Sequence, residues 1–276
     1  MQLAAYIGRI RNSLIPIEEI VNNKELYNLT LPGVTEAQVQ DSFSSRAFPT
    51  AASSEPLMRS AKAFMAESAV PNNPANDPKF KVSTPQPDLL YGYNLRSLPT
   101  PQRQFLSQGR EMIANTSSLV LPFFVIEFKN DAGNLAVATN QCLGGSATCV
   151  NIAERLNARL RECKKTEGVR FIDTASFSIA MNSSDARLHI SWKANDLKYY
   201  TARVRCYQLQ EPEQYKRFWN DVRNVIDWGT DQRLCDIRNA IEHLLREGHE
   251  RAGAKSRTPP PQDSGSERGT KRQVRE

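Results

Sequence analysis

Three features are scarce in this 276-residue sequence: long apolar runs, closely spaced cysteines and histidines. No segment approaches the roughly 18 consecutive apolar residues that a membrane-spanning helix needs. The N-terminal stretch MQLAAYIGRIRNSL has no basic segment ahead of an apolar core, which a secretory signal requires. We therefore expect an intracellular protein with no membrane partner.

The cysteines and histidines lack the spacing of a metal site. None of the five cysteines belongs to a C-x-x-C pair, and the three histidines are scattered through the second half of the chain. The residues are Cys142, Cys149, Cys163, Cys206, Cys235, His189, His243 and His249. We interpret the cysteines as reduced thiols, as is usual inside cells. Their spacing argues against a zinc site.

The net charge of +6 is concentrated at the C-terminus. Residues 251–276 contain seven Lys and Arg and three Asp and Glu, which leaves 29 basic and 27 acidic side chains for the other 250 residues. The folded part is therefore nearly neutral, and charge alone does not indicate a nucleic-acid partner. The segment 251–276 is predicted to be a disordered basic tail, because it is rich in Pro, Gly, Ser and charge. Its basic TKRQVR stretch indicates an alternative, a nuclear-import signal and hence a nuclear location.

Helical patterns come first along the chain, and strand patterns follow them. Thr35 is a candidate N-cap for a helix in GVTEAQVQDSFSSRAF, and a second helix is predicted over 53–68. PDLLYGY is a predicted strand, and SSLVLPFFVIEFK is a buried strand whose regular ladder should begin after Pro122. A long connection over 96–111 separates the two strands.

The middle of the chain predicts a long helix followed by a hairpin. A helical stripe runs from Cys149 to Cys163. Before it, Gly144 and Gly145 mark a break or a close approach of the backbone. Two alternating runs then flank the turn residues 182–185, and YYTARVRCYQLQ alternates again.

Helices are predicted to end the folded region. Pro212 opens a helix that should break at Gly229, and Thr230 or Asp231 should cap a last helix. The full order of elements predicts a single α/β domain with a central mixed sheet covered by helices on both faces. We place this domain at 33–250, after an N-terminal lead-in over 1–32.

The buried strand PFFVIEFKN ends in two charges. Because side chains alternate in a strand, Phe123, Val125, Glu127 and Lys129 share one face, with about 6.6 Å of rise between the two charged residues. An unpaired buried carboxylate is costly, so Glu127 must reach water, a cation or a metal. The simplest alternative is that the strand ends at Phe128 and both charges are solvated.

A second carboxylate, Asp88, lies 39 residues before Glu127, at the head of the strand PDLLYGY. If the two strands pair, both carboxylates can converge on one divalent cation, and hard oxygen ligands favour Mg²⁺. Lys129 would then orient the attacking water, help to deprotonate it, and offset charge in the transition state. An aspartate after a proline is also a common turn residue.

These stretches resemble a known nuclease signature. Asp88 in PDLLYGY, together with FFVIEFK, resembles the P-D…(D/E)-x-K signature of the PD-(D/E)XK nuclease superfamily. The wider sequence from about residue 33 to 247, including GNLAVATNQCLGGSATCVNIAERLN and RNVIDWGTDQRLCDIRNAI, resembles a group of fungal PD-(D/E)XK nuclease-like domains.

The resemblance implies a restriction-endonuclease-like three-layer core, α-β-β-β-α-β, to which C-terminal helices are added. It also implies phosphodiester hydrolysis with Mg²⁺ or Mn²⁺, in which Asp88 and Glu127 hold the metal and Lys129 assists the water. Superfamily members often add an acid from the first helix, which here is Glu36. A glutamate in a first helical turn also simply complements the helix dipole.

Several other residues allow two interpretations. Gln141 lies where some relatives carry a site-contacting glutamine, but position 145 is Gly, so the Q-x-x-x-Y form is not met.

Basic residues on the long helix could contact phosphates, although interspersed acids favour a solvated face. These residues are Arg155, Arg159, Lys164 and Lys165. Trp192, Trp219 and Trp228 are predicted to be core residues rather than base-stacking platforms.

Two functions from different classes follow. The first is a metal-dependent nuclease that acts on DNA or RNA, and the retained signature residues favour it. The second is a catalytically inactive nuclease fold that binds nucleic acid or protein, and the nearly neutral folded region favours it.

Overall fold

The computed structural model describes residues 2–11, 15–50, 52, 55–71, 83–163, 170–195 and 198–255. The α-helices in these residues are α1 (Gln2–Ile7), α2 (Ile17–Val21), α3 (Lys24–Asn28), α4 (Glu36–Arg46), α5 (Thr100–Gly109), α6 (Leu135–Arg161), α7 (Pro212–Trp228) and α8 (Leu234–Lys255). The strands are β1 (Leu57–Ala61), β2 (Leu89–Asn94), β3 (Leu119–Phe128), β4 (Ser176–Met181), β5 (Asp185–Asn195) and β6 (Lys198–Gln208). None of the described helices is long and apolar enough to cross a membrane.

The six strands form one open mixed sheet in the order β1 to β6. Neighbouring strands are antiparallel except β3 and β4, which run parallel and are joined through α6. A parallel pair needs such a crossover, whereas the antiparallel neighbours can be joined directly. The predicted α/β class and mixed sheet are therefore confirmed.

Helices cover both faces of the sheet. On one face α6 approaches β3 so closely that a Cβ added at Gly145 would lie 3.0 Å from Cγ1 of Val125. On the other face Phe48, just after α4, contacts Phe124 and Phe128 with ring centroids 6.3 and 5.9 Å away. Phe48 also contacts Phe218 of α7. The glycine pair thus marks a close approach, and α6 continues through it without a break.

Strand β3 is the centre of the core, because all ten of its residues are buried. Its parallel ladder with β4 starts at Phe124, after Pro122 as predicted. In the ladder between β2 and β3, two residue pairs precede Pro122, and a register shift lies between Tyr91 and Tyr93. Such an irregularity allows a strand to contain proline, which has no N–H to donate. Leu121 beside it has a positive φ of 47°.

Several predicted boundaries are confirmed by their local contacts. Thr35 caps α4 with a full capping box, since its side chain accepts from the Gln38 N–H and the Gln38 side chain accepts from the Thr35 N–H. Asn182 turns the chain between β4 and β5, because its Oδ1 accepts from the N–H groups of Ser184 and Asp185 at 2.9 and 2.7 Å.

Other predictions are wrong. The helix predicted over 53–68 is instead β1, which pairs with β2, followed by irregular chain. The connection over 96–111 contains α5. Trp192 is 38% exposed and stacks on Tyr200, so it is not a core residue, whereas Trp228 is buried. Of the predicted disordered tail, residues 251–255 continue α8, and 256–276 lie outside the described residues.

The predicted N-terminal lead-in packs on the domain. Its short helices contribute buried Ile7, Ile20 and Leu26 to the core. Asn224 of α7 donates from Nδ2 to the carbonyl oxygens of Ile7 and Arg9 at 2.7 and 2.8 Å. These contacts attach the lead-in to α7.

The predicted break at Gly229 is a wide π-helical turn over Gly229–Arg233, so no cap at Thr230 or Asp231 is needed. This turn places the buried Arg233 among the rings of Tyr93, Phe123 and Trp228, each 5.4 to 5.6 Å from its guanidinium carbon. Arg233 Nη1 donates to the Leu121 carbonyl at 3.0 Å and to the Tyr93 hydroxyl at 3.1 Å. The turn therefore connects the C-terminal helices to the irregular part of β3.

We predict that Gly229→Ala destabilises the protein by about 3 kcal/mol, because an added Cβ would overlap the Phe123 ring. Urea denaturation followed by circular dichroism measures this loss. Gly248→Ala is the control, since nothing lies within 4 Å of its new Cβ. That substitution should stabilise α8 by up to about 1 kcal/mol. Equal stability of the two variants would contradict the close packing at Gly229.

Candidate functional site

The end of β3 carries a buried carboxylate pair. Pairing of β2 with β3 aligns Leu89 with Ile126, which brings Asp88 and Glu127 to the same end of the sheet. Asp88 is 8% exposed and Glu127 is 3% exposed. The charge of Asp88 acts on Glu127, so the two carboxyl groups lie within electrostatic range of each other. The strand does not end in solvent at Glu127, so that alternative is excluded for this residue.

Asp88 also has a structural role. Its Oδ2 accepts a hydrogen bond from the Phe128 N–H at 2.9 Å, which continues the β2–β3 ladder by one side-chain contact. Burial raises the pKa of Asp88, the Phe128 hydrogen bond lowers it, and the charge of Glu36 raises it again. The interpretation of Asp88 as a simple turn residue is therefore incomplete.

Glu127 faces α6 and is strongly perturbed. Burial first, and the adjacent Asp88 charge second, raise the pKa of Glu127 to about 8, although Lys129 acts in the opposite direction. Glu127 in turn helps burial to raise the pKa of Cys142 on α6. A perturbed carboxyl group of this kind, beside a second one, is typical of functional sites.

Lys129 and Glu36 complete the cluster. Lys129 Nζ lies 3.2 Å from Glu36 Oε2 and donates to the Phe128 carbonyl oxygen at 2.7 Å. The Lys129 backbone N–H donates to Met181 of β4 at 2.8 Å, so the residue still belongs to the sheet. The capping box at Thr35 fixes the start of α4 and with it Glu36. All four predicted site residues therefore lie together, whereas their chemical roles stay predictions.

A groove of about 920 Å³ opens beside Glu127. Its walls come from α6, from the β5–β6 hairpin and from the loops before β2, and include Phe64, Gln141, Leu143 and Tyr199. None of the described lining residues is basic. Gln141, a polar residue of α6, also lines this groove. Sequence patterns did not single out Phe64 or Tyr199, whose only signal was an aromatic side chain.

The basic residues of α6 lie elsewhere. Arg155 donates to the carbonyl oxygen of Glu111 at 2.8 Å, and Arg159 pairs with the Glu111 carboxylate at 3.1 Å. Neither arginine lines the groove beside Glu127. Lys164 and Lys165 lie outside the described residues. Both arginines are thus engaged in contacts within the protein.

A family comparison covers this whole cluster. A family model described as "Domain of unknown function (DUF7924)" matches residues 30–241. The chain belongs to the DUF7924 family. The match to the DUF7924 domain includes α4, all six strands and α6, and so all four site residues. Nothing among the curated proteins or the solved structures matches the chain.

The cluster offers carboxylate oxygens as potential ligands for a cation. Three carboxylates, those of Glu36, Asp88 and Glu127, face one ammonium group at Lys129, and two of the carboxylates are buried. Oxygen ligands of this kind suit Mg²⁺ or Mn²⁺. Burial and the charge of Asp88 both raise the pKa of Glu127, and a bound cation would offset both effects. The residues therefore fit such an ion.

The raised pKa of Glu127 predicts a pH dependence in metal-free protein. The folded state holds this proton up to about pH 8, whereas the ordinary value is 4.5. Protonated Glu127 makes its full contribution to the free energy of unfolding below pH 4.5. This contribution is lost as the pH rises to about 8, by at most about 1.4 kcal/mol per pH unit. Urea denaturation in EDTA should show this slope in wild type and not in Glu127→Gln. The control Glu18→Gln, which changes an exposed residue of α2, should keep this slope. Identical profiles for wild type and Glu127→Gln would contradict the burial of Glu127.

Proposed function

We propose that this chain is a metal-dependent nuclease of the PD-(D/E)XK type, which hydrolyses phosphodiester bonds in DNA or RNA. The observation that carries the proposal is the carboxylate pair of Asp88 and Glu127, with Lys129 beside it, at the edge of a groove. The element order also supports it, because α4, β1, β2, β3, α6 and β4 follow the α-β-β-β-α-β order of a restriction-endonuclease-like core, with α5 added between β2 and β3.

Each residue has a role in this proposal. Asp88 and Glu127 would hold Mg²⁺ or Mn²⁺ through their carboxylate oxygens. The bound ion supplies Lewis acidity and lowers the pKa of a water molecule. Glu127 must release its proton before it can bind a cation, so binding should strengthen toward pH 8.

Lys129 positions the attacking water. Its ammonium group lies between Glu36 and the end of β3, and within electrostatic range of both buried carboxylates. From there it can orient the water and offset negative charge that develops on the phosphate. Glu36 holds the ammonium group in this place, which gives the first-helix acid a positioning role.

The groove also supports a second candidate, an inactive nuclease fold that binds nucleic acid or protein. No described residue that lines the groove is basic, although contact with a phosphate backbone usually relies on Lys and Arg. Phe64, Leu143 and Tyr199 instead offer apolar contact surface. Under this candidate the cluster would keep its shape without chemistry, and folded protein would cut no substrate.

A cleavage assay tests the proposed activity. Purified full-length protein should cut single- or double-stranded DNA or RNA with Mg²⁺ or Mn²⁺ and not with EDTA. We expect Glu127→Ala to reduce the rate at least about 1000-fold and Lys129→Ala at least about 100-fold, because both act on the reacting groups. Asp88→Asn should also abolish activity while it retains an acceptor for the Phe128 N–H.

The control for this assay is Asp41→Asn, which removes an exposed carboxylate from the same helix as Glu36 and should leave the rate unchanged. Circular dichroism confirms that each variant is folded. Cleavage by Glu127→Ala at the wild-type rate, or no cleavage of any of the four substrates, would overturn the proposed activity.

A further inference from the structure

A second group of ligand-type side chains lies at the far end of α6. Cys163 follows the end of this helix, and His243 and Glu247 stand one turn apart on α8. One potential ligand atom from each residue lies within 4.8 Å of the other two. The spacing of cysteines and histidines argued against a zinc site, and the fold now brings these distant residues together.

This group is separate from the carboxylate cluster. Gln141 near the start of α6 borders the groove, and Arg161 ends the helix before Cys163. At a rise of about 1.5 Å per residue, these two positions on α6 are about 30 Å apart. One cation cannot serve both places.

The environment of His243 indicates a missing partner. Its Nε2 is buried and has no hydrogen-bond partner. A buried polar atom without a partner is costly, and a bound metal ion or water molecule would satisfy it. Neighbouring Glu247 is 8% exposed, and Cys163 is half-buried, so the group is sheltered but reachable from solvent.

Surrounding contacts hold the ligands in place. Arg251 donates from Nη2 to Glu247 Oε1 at 2.9 Å and to the Glu162 carbonyl oxygen at 3.1 Å. The Cys163 thiol donates to the Arg159 carbonyl oxygen at 3.6 Å. Outer contacts of this kind orient metal ligands and are a regular part of metal sites. The positive charge of Arg251 weakens the attraction for a cation, so affinity should be moderate.

The donor set selects the ion. One sulfur, one imidazole nitrogen and one carboxylate oxygen suit zinc, whereas Mg²⁺ prefers oxygen ligands alone. A thiolate and a carboxylate together neutralise the charge of Zn²⁺. In a tetrahedral zinc site neighbouring ligand atoms are about 3.5 Å apart, as follows from metal–ligand bonds of about 2.0 to 2.3 Å. Because the ligand atoms lie within 4.8 Å of one another, they need to approach by at most about 1.3 Å to reach this spacing.

We propose that Cys163, His243 and Glu247 form a Zn²⁺-binding site with three protein ligands and an open fourth position. A cavity of about 250 Å³ borders Cys163 and Glu247 and gives a water molecule access to that position. The ion would join the end of α6 to α8. Two of the ligands lie beyond the matched span 30–241, so the site is a feature of this chain rather than of the family model.

Metal titration of full-length, tag-free protein tests the site. After treatment with EDTA and dialysis, wild type should bind one equivalent of Zn²⁺. Co²⁺ should bind there with an absorption band from thiolate-to-metal charge transfer. We expect Cys163→Ser to lose this band and His243→Gln and Glu247→Gln each to weaken binding at least about 100-fold, since even outer contacts contribute 10- to 100-fold.

Matched controls separate this site from the other thiols, from other histidines and from the proposed nuclease centre. Cys206→Ser and His249→Gln change exposed residues and should keep the band. Glu127→Ala should also keep it, so a failure of the proposed nuclease function would leave this test intact. Thermal unfolding in EDTA confirms that each variant is folded. Absence of the band in wild type, or its persistence in Cys163→Ser, would overturn the proposal.

Discussion

Two carboxyl groups buried at one end of the central strand are the constraint on which the candidate site depends. Moving a carboxylate out of water costs several kcal/mol unless charges or hydrogen bonds compensate. Here the compensation is partial: the Phe128 N–H binds Asp88, and Lys129 lies close to both groups. The remaining cost appears in Glu127, whose pKa is raised to about 8 by burial first and by the charge of Asp88 second.

The scaffold around this pair is built to hold it. Strand β3 is buried over its full length, so its end is fixed by packing on both faces. On one face α6 approaches through Gly145, and on the other Phe48 fills the space beside Phe124 and Phe128. Glu127 therefore lies within β3, and Asp88 and Lys129 directly flank β2 and β3. The groove walls come from α6, from the β5–β6 hairpin and from loops.

Part of the candidate site and of the fold was predictable from residues that lie close together in the sequence. The alternation of β3 placed Glu127 and Lys129 on one face, and the proline-aspartate pair before β2 supplied the second acid. The capping box at Thr35 and the turn at Asn182 were recognisable for the same reason, because each depends on side chains within a few residues. The approach of Asp88 to Glu127 and Lys129 followed from the pairing of β2 with β3, whereas Glu36 on α4 was indicated only by the family resemblance.

Features that depend on distant partners were not predictable. Strand β1 has a sequence, LMRSA, with no clear alternation, and it is a strand because β2 pairs with it; Arg59 then donates to the carbonyl oxygens of Ser44 and Phe48. The π-helical turn at Gly229 depends on Phe123 and Tyr93, which are over 100 residues away. The Cys163, His243 and Glu247 group arises only when α8 packs beside the end of α6.

The most direct measurement is an anomalous difference map from crystals grown in Mn²⁺. The proposal predicts a single strong peak about 2 Å from carboxylate oxygens of both Asp88 and Glu127, which is lost in crystals of Glu127→Gln. Ordered Asp88 and Glu127 carboxylates with no peak between them, at millimolar Mn²⁺, would contradict it.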